Sequence, residues 1–265
     1  MDRLECQWCH SQNPPGTTTC QTCGAPLNVA NVVSDSGWRE APRLRDMAKF
    51  HFSNSTCQVE GELVPVAEIA LSSGDSVIFE HHTMLWKEEG VPVGVYPLGG
   101  GLKRSLGGMP YVITQAAGPG RIAFSRDAPG EIVTLVLHPS MEVDVREHAF
   151  LAASHTVRYS FERIKGLANI IHGGSGMYLD RFVTAGEPGL VLLHGYGNVF
   201  ERTLADGEKI LVEPGGYLYK DSSVRMQATQ LNVRTGLFHH GMYMAEMTGP
   251  GRVGIQSMYH HHASE

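Results

Sequence analysis

A glycine-framed unit that recurs along the chain limits its possible folds more than any other feature. Residues 195–222, GYGNVFERTLADGEKILVEPGGYLYKDS, read as a turn, an apolar strand, a Gly-Glu corner, a second strand, a Pro-Gly-Gly turn and a third strand. Gly118, Gly120, Gly130 and Glu131 stand at the separations of Gly195, Gly197, Gly207 and Glu208. Residues 143–152 match 210–219 at a shorter offset, which implies one extra strand in the first copy, roughly residues 132–141. A third fragment, Gly249-Pro-Gly251-Arg-Val-Gly-Ile, repeats Gly118-Pro-Gly120-Arg-Ile-Ala-Phe. Self-similarity of this kind predicts an array of β-units. The 31 glycines and short apolar runs fit many short strands better than long helices.

The strongest chemical signal lies ahead of that array. Cys6, Cys9, Cys20 and Cys23 form C-x2-C-x10-C-x2-C. Each C-x2-C turns two thiolates toward one point, and two such turns complete the tetrahedral S4 set that zinc accepts. Gly24 follows the second pair, where a knuckle needs a left-handed residue. A thioredoxin-type pair needs one C-x-x-C at a helix start and fits less well; rubredoxin-like iron is the alternative metal. Four ligands leave no open position, so the expected ion is structural zinc, stiffening a lobe too small to bury its own core. Arg3 is the only basic residue before Ala25, so protein docking is expected there ahead of nucleic-acid contact.

The expected organisation is a zinc-ribbon knuckle over 1–27, a linker over 28–50, a β-sandwich domain over 51–257 and a tail over 258–265. Trp38 is expected to pin the linker to a neighbouring surface, with Arg39, Arg43, Arg45 and Lys49 on a solvated face. Within the domain, strands are expected at 50–59, 64–71, 76–80, 84–86, 111–114, 121–124, 132–137, 142–146, 150–153, 157–161, 177–179, 190–193, 209–213, 217–219 and 253–255. Val143 and Val145 alternate with Glu142, Asp144 and Arg146, which predicts one wet face. Residues 132–137 are almost wholly apolar and should be buried on both faces. The fold class is all-β: a sandwich or double-stranded β-helix of repeated units behind a small zinc ribbon.

The run GGGLKRSLGGMPYVITQAAGPGRIAFSRDAPGEIVTLVLHPSMEVDVREHAFLAAS, with the later LVLLHGYGNVFERTLADGEKILVEPGGYLY and GPGRVGIQS, resembles the family named after the yeast mitochondrial protein "altered inheritance of mitochondria 24". The resemblance covers roughly residues 50–257. Where that family has a Gly-Glu-Ser-like step, this chain has Gly108-Met109-Pro110. The resemblance implies a fold similar to the tryptophan RNA-binding attenuation protein and homo-oligomers, most often trimers. It links mitochondrial members to inner-membrane organisation and supplies no catalytic residues to carry over.

Other constellations point away from catalysis. The loop holding Lys103, Arg104 and Ser105 is a candidate anion cradle, but it matches neither the P-loop nor the dinucleotide fingerprint. His172-Gly-Gly-Ser175-Gly176 lacks the second glycine spacing and the strand-to-helix context of a nucleophile elbow. Among 14 histidines, the neighbours His81–His82 and His239–His240 would point to opposite faces of a strand. Cys57 reads as a small buried hydrophobe. A net charge of −6 gives no long-range attraction for nucleic acid. No secretory h-region or membrane-length apolar run is present in the sequence, and a cytoplasmic location is expected.

The sequence thus predicts a non-enzymatic, homo-oligomeric β-scaffold with structural zinc, mediating assembly or partner docking. A nucleic-acid-binding ring, by fold analogy, and an enzyme centred on the glycine-rich Lys103–Ser105 loop or on the His172 loop are the rival readings.

Overall fold

The computed structural model describes residues 4–5, 11–14, 17–22, 24, 27, 33–43, 46–97, 113–164, 177–184, 186–235 and 238–258. Among them there is no α-helix, only strands, turns and 3-10 turns. In the N-terminal part, β1 (Leu4–Glu5) and β2 (Gln12–Asn13) make a small hairpin, and β3 (Arg39–Glu40) follows. Then come β4 (Lys49–Phe52), β5 (Ser55–Glu60), β6 (Val66–Leu71), β7 (Ser76–Glu80), β8 (Met84–Lys87) and β9 (Val93–Val95). The middle holds β10 (Ile113–Ala117), β11 (Gly120–Phe124), β12 (Gly130–Leu137), β13 (Glu142–Arg146), β14 (Phe150–Ser154) and β15 (Val157–Ile164). The last are β16 (Met177–Thr184), β17 (Gly189–Tyr196), β18 (Val199–Leu204), β19 (Lys209–Val212), β20 (Tyr217–Asp221), β21 (Arg225–Thr235), β22 (Phe238–Thr248) and β23 (Gly251–Gln256).

One set of antiparallel pairings occurs three times, over β6–β11, β12–β17 and β18–β23. In each set the sixth strand lies between the first and the third, and the fifth lies between the second and the fourth. The third strand of each set carries a bulge, which skips Leu85, Leu151 and Leu218 in turn. Turn chemistry repeats with it: the left-handed residue before the second strand is Gly74, Ser140 and Gly207. At the equivalent corners before the sixth strands of the first and third sets, only glycine fits. A Cβ on Gly118 would sit 2.2 Å from the Ser72 carbonyl oxygen, and one on Gly249 would sit 2.2 Å from that of Ala205.

The sets are joined by strands crossing between them. β7 pairs with β14, and β13 pairs with β20. Each inner sheet is therefore half one set and half the next: β12-β17-β14-β7-β10-β9 and β15-β16-β13-β20-β23-β18-β3. The outer sheets are β4-β5-β6-β11-β8 and β19-β22-β21.

Apolar clusters fill the space between successive sheets. Val77, Phe79, Leu190 and Leu192 pack with Ile69, Ile122 and Phe124 of the five-stranded sheet. Their neighbours Ile78, Val191 and Leu193 point the other way, onto Val143, Phe182 and Tyr219 of the seven-stranded sheet. A third cluster joins Leu179, Leu204 and Tyr217 to Val212, Ala245 and Met247 of the three-stranded sheet. A strand covered on both faces needs no polar alternation, which is why β7, β14 and β17 carry the unbroken apolar runs 77–79, 150–153 and 190–193.

Several sequence expectations need correction. Residues 50–59 are two strands, because Ser53 adopts φ +48° and turns β4 back onto β5. The stretch 132–141 is not an extra strand, since β12 holds the place that β6 and β18 hold in their sets. Strand equivalence follows the shorter offset, which superposes β13 and β14 on β19 and β20; Gly195 and Gly197 fall instead at the β17–β18 corner. The expected linker is woven into the sheets: β3 pairs with β18, and the Ala41 amide donates to the Val199 carbonyl at 3.0 Å.

Candidate functional site

The strand crossings between sets concentrate the chain's buried chemistry. At the first, Val77, Ile78 and Phe79 face Ser154, Ala153 and Ala152. At the second, Val143, Asp144 and Val145 face Asp221, Lys220 and Tyr219. Counting from the repeated turn residue, these are the same positions, so the two joints share one register.

The second joint is ionic. Lys220 Nζ donates to Asp144 Oδ2 at 2.6 Å, and both side chains are buried. Arg181 Nε donates to Asp144 Oδ1 at 2.7 Å and reaches Glu142 at 2.9 Å, with Glu162 as a third partner. Burial alone would raise the Asp144 pKa, but the Arg181 and Lys220 bonds outweigh it and hold the carboxyl below the usual aspartate range. Tyr217 donates its hydroxyl to the Asp144 carbonyl at 2.7 Å, and burial pushes that phenol well above its ordinary pKa. Arg146, at the end of β13, reaches across to the Pro214 carbonyl at 3.3 Å and to that of Gly215. It thereby clamps the turn that starts β20. Nearby, buried Glu201 accepts from Tyr219 at 2.7 Å and pairs with Arg39 and Arg252. A cleft of about 730 Å³ opens beside this network, lined by Asp144, Arg181, Lys220, Arg225 and Glu246.

At the two ends of the array the same positions have no mate among the described residues. Among the described residues, β8 pairs only with β11 and β19 only with β22. Internally, a third strand such as β14 also pairs with a second strand from the preceding set, and a second strand such as β13 with a third strand from the next. β8 and β19 are thus the two open halves of one joint. They expose Leu85, Trp86 and Leu211.

Residues 57–258 match the family described as mitochondrial biogenesis AIM24. The chain belongs to the AIM24 family. No curated protein matches it. Among solved structures, the crystal structure of protein SPYM3_0169 from Streptococcus pyogenes is similar over 77% of this chain and 94% of its own, with TM-score 0.59 and 22% identity. At that identity the likeness shows the fold alone.

The residues singled out from sequence fall unevenly on this AIM24 framework. Cys6, Cys9 and Cys23 lie outside the described residues, as do Lys103, Arg104 and Ser105 and the loop from His172 to Gly176. Cys20 is buried; the Ser11 hydroxyl lies 3.1 Å from its Sγ and the Asn13 amide 3.6 Å. Gly24, at φ +74°, donates its amide to the Cys20 carbonyl at 2.9 Å, closing a tight turn. Cys57 is buried in the first apolar cluster, and desolvation pushes its thiol up to about 12, which makes it inert.

His81 and His82 stand in a 3-10 turn, not a strand, with their rings edge to face at 5.6 Å. His82 is held down to about 4, first by burial and then by Arg126, whose NH1 lies 3.0 Å from its Nε2. His194 is likewise lowered to about 4, chiefly by burial; its Nε2 donates to the Ala128 carbonyl at 3.1 Å. Neither imidazole carries charge at neutral pH. Trp38 lies under the Arg202 guanidinium at 6.0 Å. Arg39 and Arg43 do not form a free solvated face, since they pair with Glu201 and Glu131.

The ion network itself escaped the sequence reading. β13 alternates, and its polar side was read as wet, yet Asp144 is buried. The one available signal was Lys220, a basic residue following an apolar run at the matching place in the next set.

Proposed function

We propose that the chain is a non-enzymatic scaffold that assembles with copies of itself through the two ends of its strand array. The observation that carries this reading is the pair of open edges, β8 and β19, each a half of a joint that the chain completes twice internally. Exposed Leu85, Trp86 and Leu211 on those edges support it, because an unpaired apolar edge strand is a template for pairing. Buried carboxylates such as Asp144 and Glu201 are committed to cations and tyrosines on other strands of the seven-stranded sheet. The family description names a process and no reaction. Read as sandwich units in series, the three sets fit a double-stranded β-helix type of fold, similar to the tryptophan RNA-binding attenuation protein. In that reading, repeated units supply the ring or row.

The N-terminal lobe is read as a zinc ribbon that docks a partner protein. Its residues fit the ion: the buried Cys20 sulfur sits among a hydroxyl and an amide, donors that favour a thiolate, on a turn closed by Gly24. Cys6, Cys9 and Cys23 would complete the set, and zinc there would hold the lobe's fold.

Light scattering on the size-exclusion peak of the full chain tests the scaffold. A mass several times 28.9 kDa at micromolar concentration is expected, and a strict monomer overturns it. Metal analysis tests the ribbon: one zinc per chain is expected, lost in Cys20→Ser with the β-array's melting unchanged. A metal-free native chain removes zinc from the reading.

A further inference from the structure

We infer the joint between two copies residue by residue: β19 of one copy adds antiparallel to β8 of the next, with Ile210, Leu211 and Val212 facing Glu88, Lys87 and Trp86. This rests on the scaffold reading and gives its partner surface a register. Both internal joints fix that register independently. Phe79 faces Ala152 in one and Val145 faces Tyr219 in the other. Val212 is the counterpart of Phe79 and Val145, and Trp86 that of Ala152 and Tyr219, by the shared turn and bulge positions. Ile78–Ala153 and Asp144–Lys220 likewise place Leu211 opposite Lys87.

Burial supplies an argument separate from pairing. The bulged leucine of each set is meant to be covered by the set before it. Leu151 packs with residues of β5, β6 and β11, and Leu218 packs with Val143, Val145 and Phe182. Both are fully buried at 0%, while their counterpart Leu85 stands 57% exposed. Trp86 is 40% exposed where Ala152 and Tyr219 are at 0%, and Leu211 is 43% exposed where Ile78 and Asp144 are at 1%. The cluster that would receive Leu85 has the matching gap: Ile210, Met226 and Ala228 are only partly buried against it. The missing cover at one end is thus the surplus apolar edge at the other. Because β8 and β19 are different surfaces, the contact is head to tail, and repetition gives a ring where the rotation closes and a filament where it does not.

Disulfide trapping on the full chain tests the register. Trp86→Cys and Val212→Cys are made as separate variants, mixed, oxidised and run denatured without reductant. A reducible dimer band between the mixed variants is expected, at least tenfold stronger than from Trp86→Cys mixed with Leu211→Cys, whose side chain points to the opposite face. Leu85→Arg provides a second readout that leaves the fold intact, since the side chain is exposed in the single chain; it is expected to convert the assembly to monomer at unchanged circular dichroism. An assembly that persists in Leu85→Arg, or equal trapping in both mixtures, overturns the register and leaves the scaffold standing. A wild-type monomer overturns both. A link that forms inside one chain when Trp86→Cys and Val212→Cys are combined, with none between the mixed single variants, overturns the partner and shows closure of the chain on itself.

Discussion

The two internal joints have one register and opposite chemistry. Between β7 and β14 the middle pair is Ile78 with Ala153, and the neighbours are Val77 and Phe79. Between β13 and β20 the middle pair is Asp144 with Lys220, locked by Arg181. The first joint draws its stability from apolar burial, which involves no titrating group. The second burdens itself with the desolvation of two charges and recovers it only through several short hydrogen bonds. The comparison teaches that backbone register here is set by turns and bulges, and that the pair in the middle is replaceable so long as it is complete.

That lesson can be broken by leaving a pair incomplete. Asp144→Ala strands Lys220 at a buried site, while Arg181 keeps Glu142 and Glu162, and is expected to cost about 3–5 kcal/mol in urea unfolding. Ile78→Ala in the first joint removes only apolar contact and is expected to cost about 3 kcal/mol, with no change in pH dependence. If the two losses are equal and equally pH-dependent, the chemical contrast is wrong.

Acid sharpens the contrast further. The Asp144 carboxyl has its pKa held below the unfolded value. Its contribution is therefore present above about pH 4 and lost as pH falls through the folded value. Thermal melts at pH 7 and pH 3 are expected to show a larger loss in wild type than in Asp144→Leu/Lys220→Met. At neutral pH that double variant should sit within about 1 kcal/mol of wild type, or above it, because both partners are removed together. The smallest effect belongs to the outer pair Arg121–Glu68, on the five-stranded sheet, where the arginine is half in solvent. Glu68→Gln is expected to cost less than about 1 kcal/mol, largely screened by salt.

Much of this framework was legible from spacing and pattern. The strand at Glu142–Arg146 falls where alternation put it, and the Gly-Pro-Gly fragments open β11 and β23. What alternation could not reveal is where a polar face is covered by a distant part of the chain. Asp144 meets Lys220 through a joint, and nothing local to β13 marks that contact. Repetition misled in a similar way. Glycine separations aligned Gly118 with Gly195, although the former sits in the turn between β10 and β11 and the latter lies within β17. Turn glycines recur wherever chains reverse, so equivalence needed the pairing partners as well. The candidate zinc ligands were readable only from spacing, with Cys20 alone among the described residues.

Sharing each inner sheet between adjacent sets also governs how the chain can come apart. No set holds a complete pair of sheets without its neighbour, so a cut at the β11–β12 or β17–β18 corner should not release a domain that survives alone. Heat or denaturant should melt the array in one transition, and length could change in evolution only by whole modules spliced between like edges.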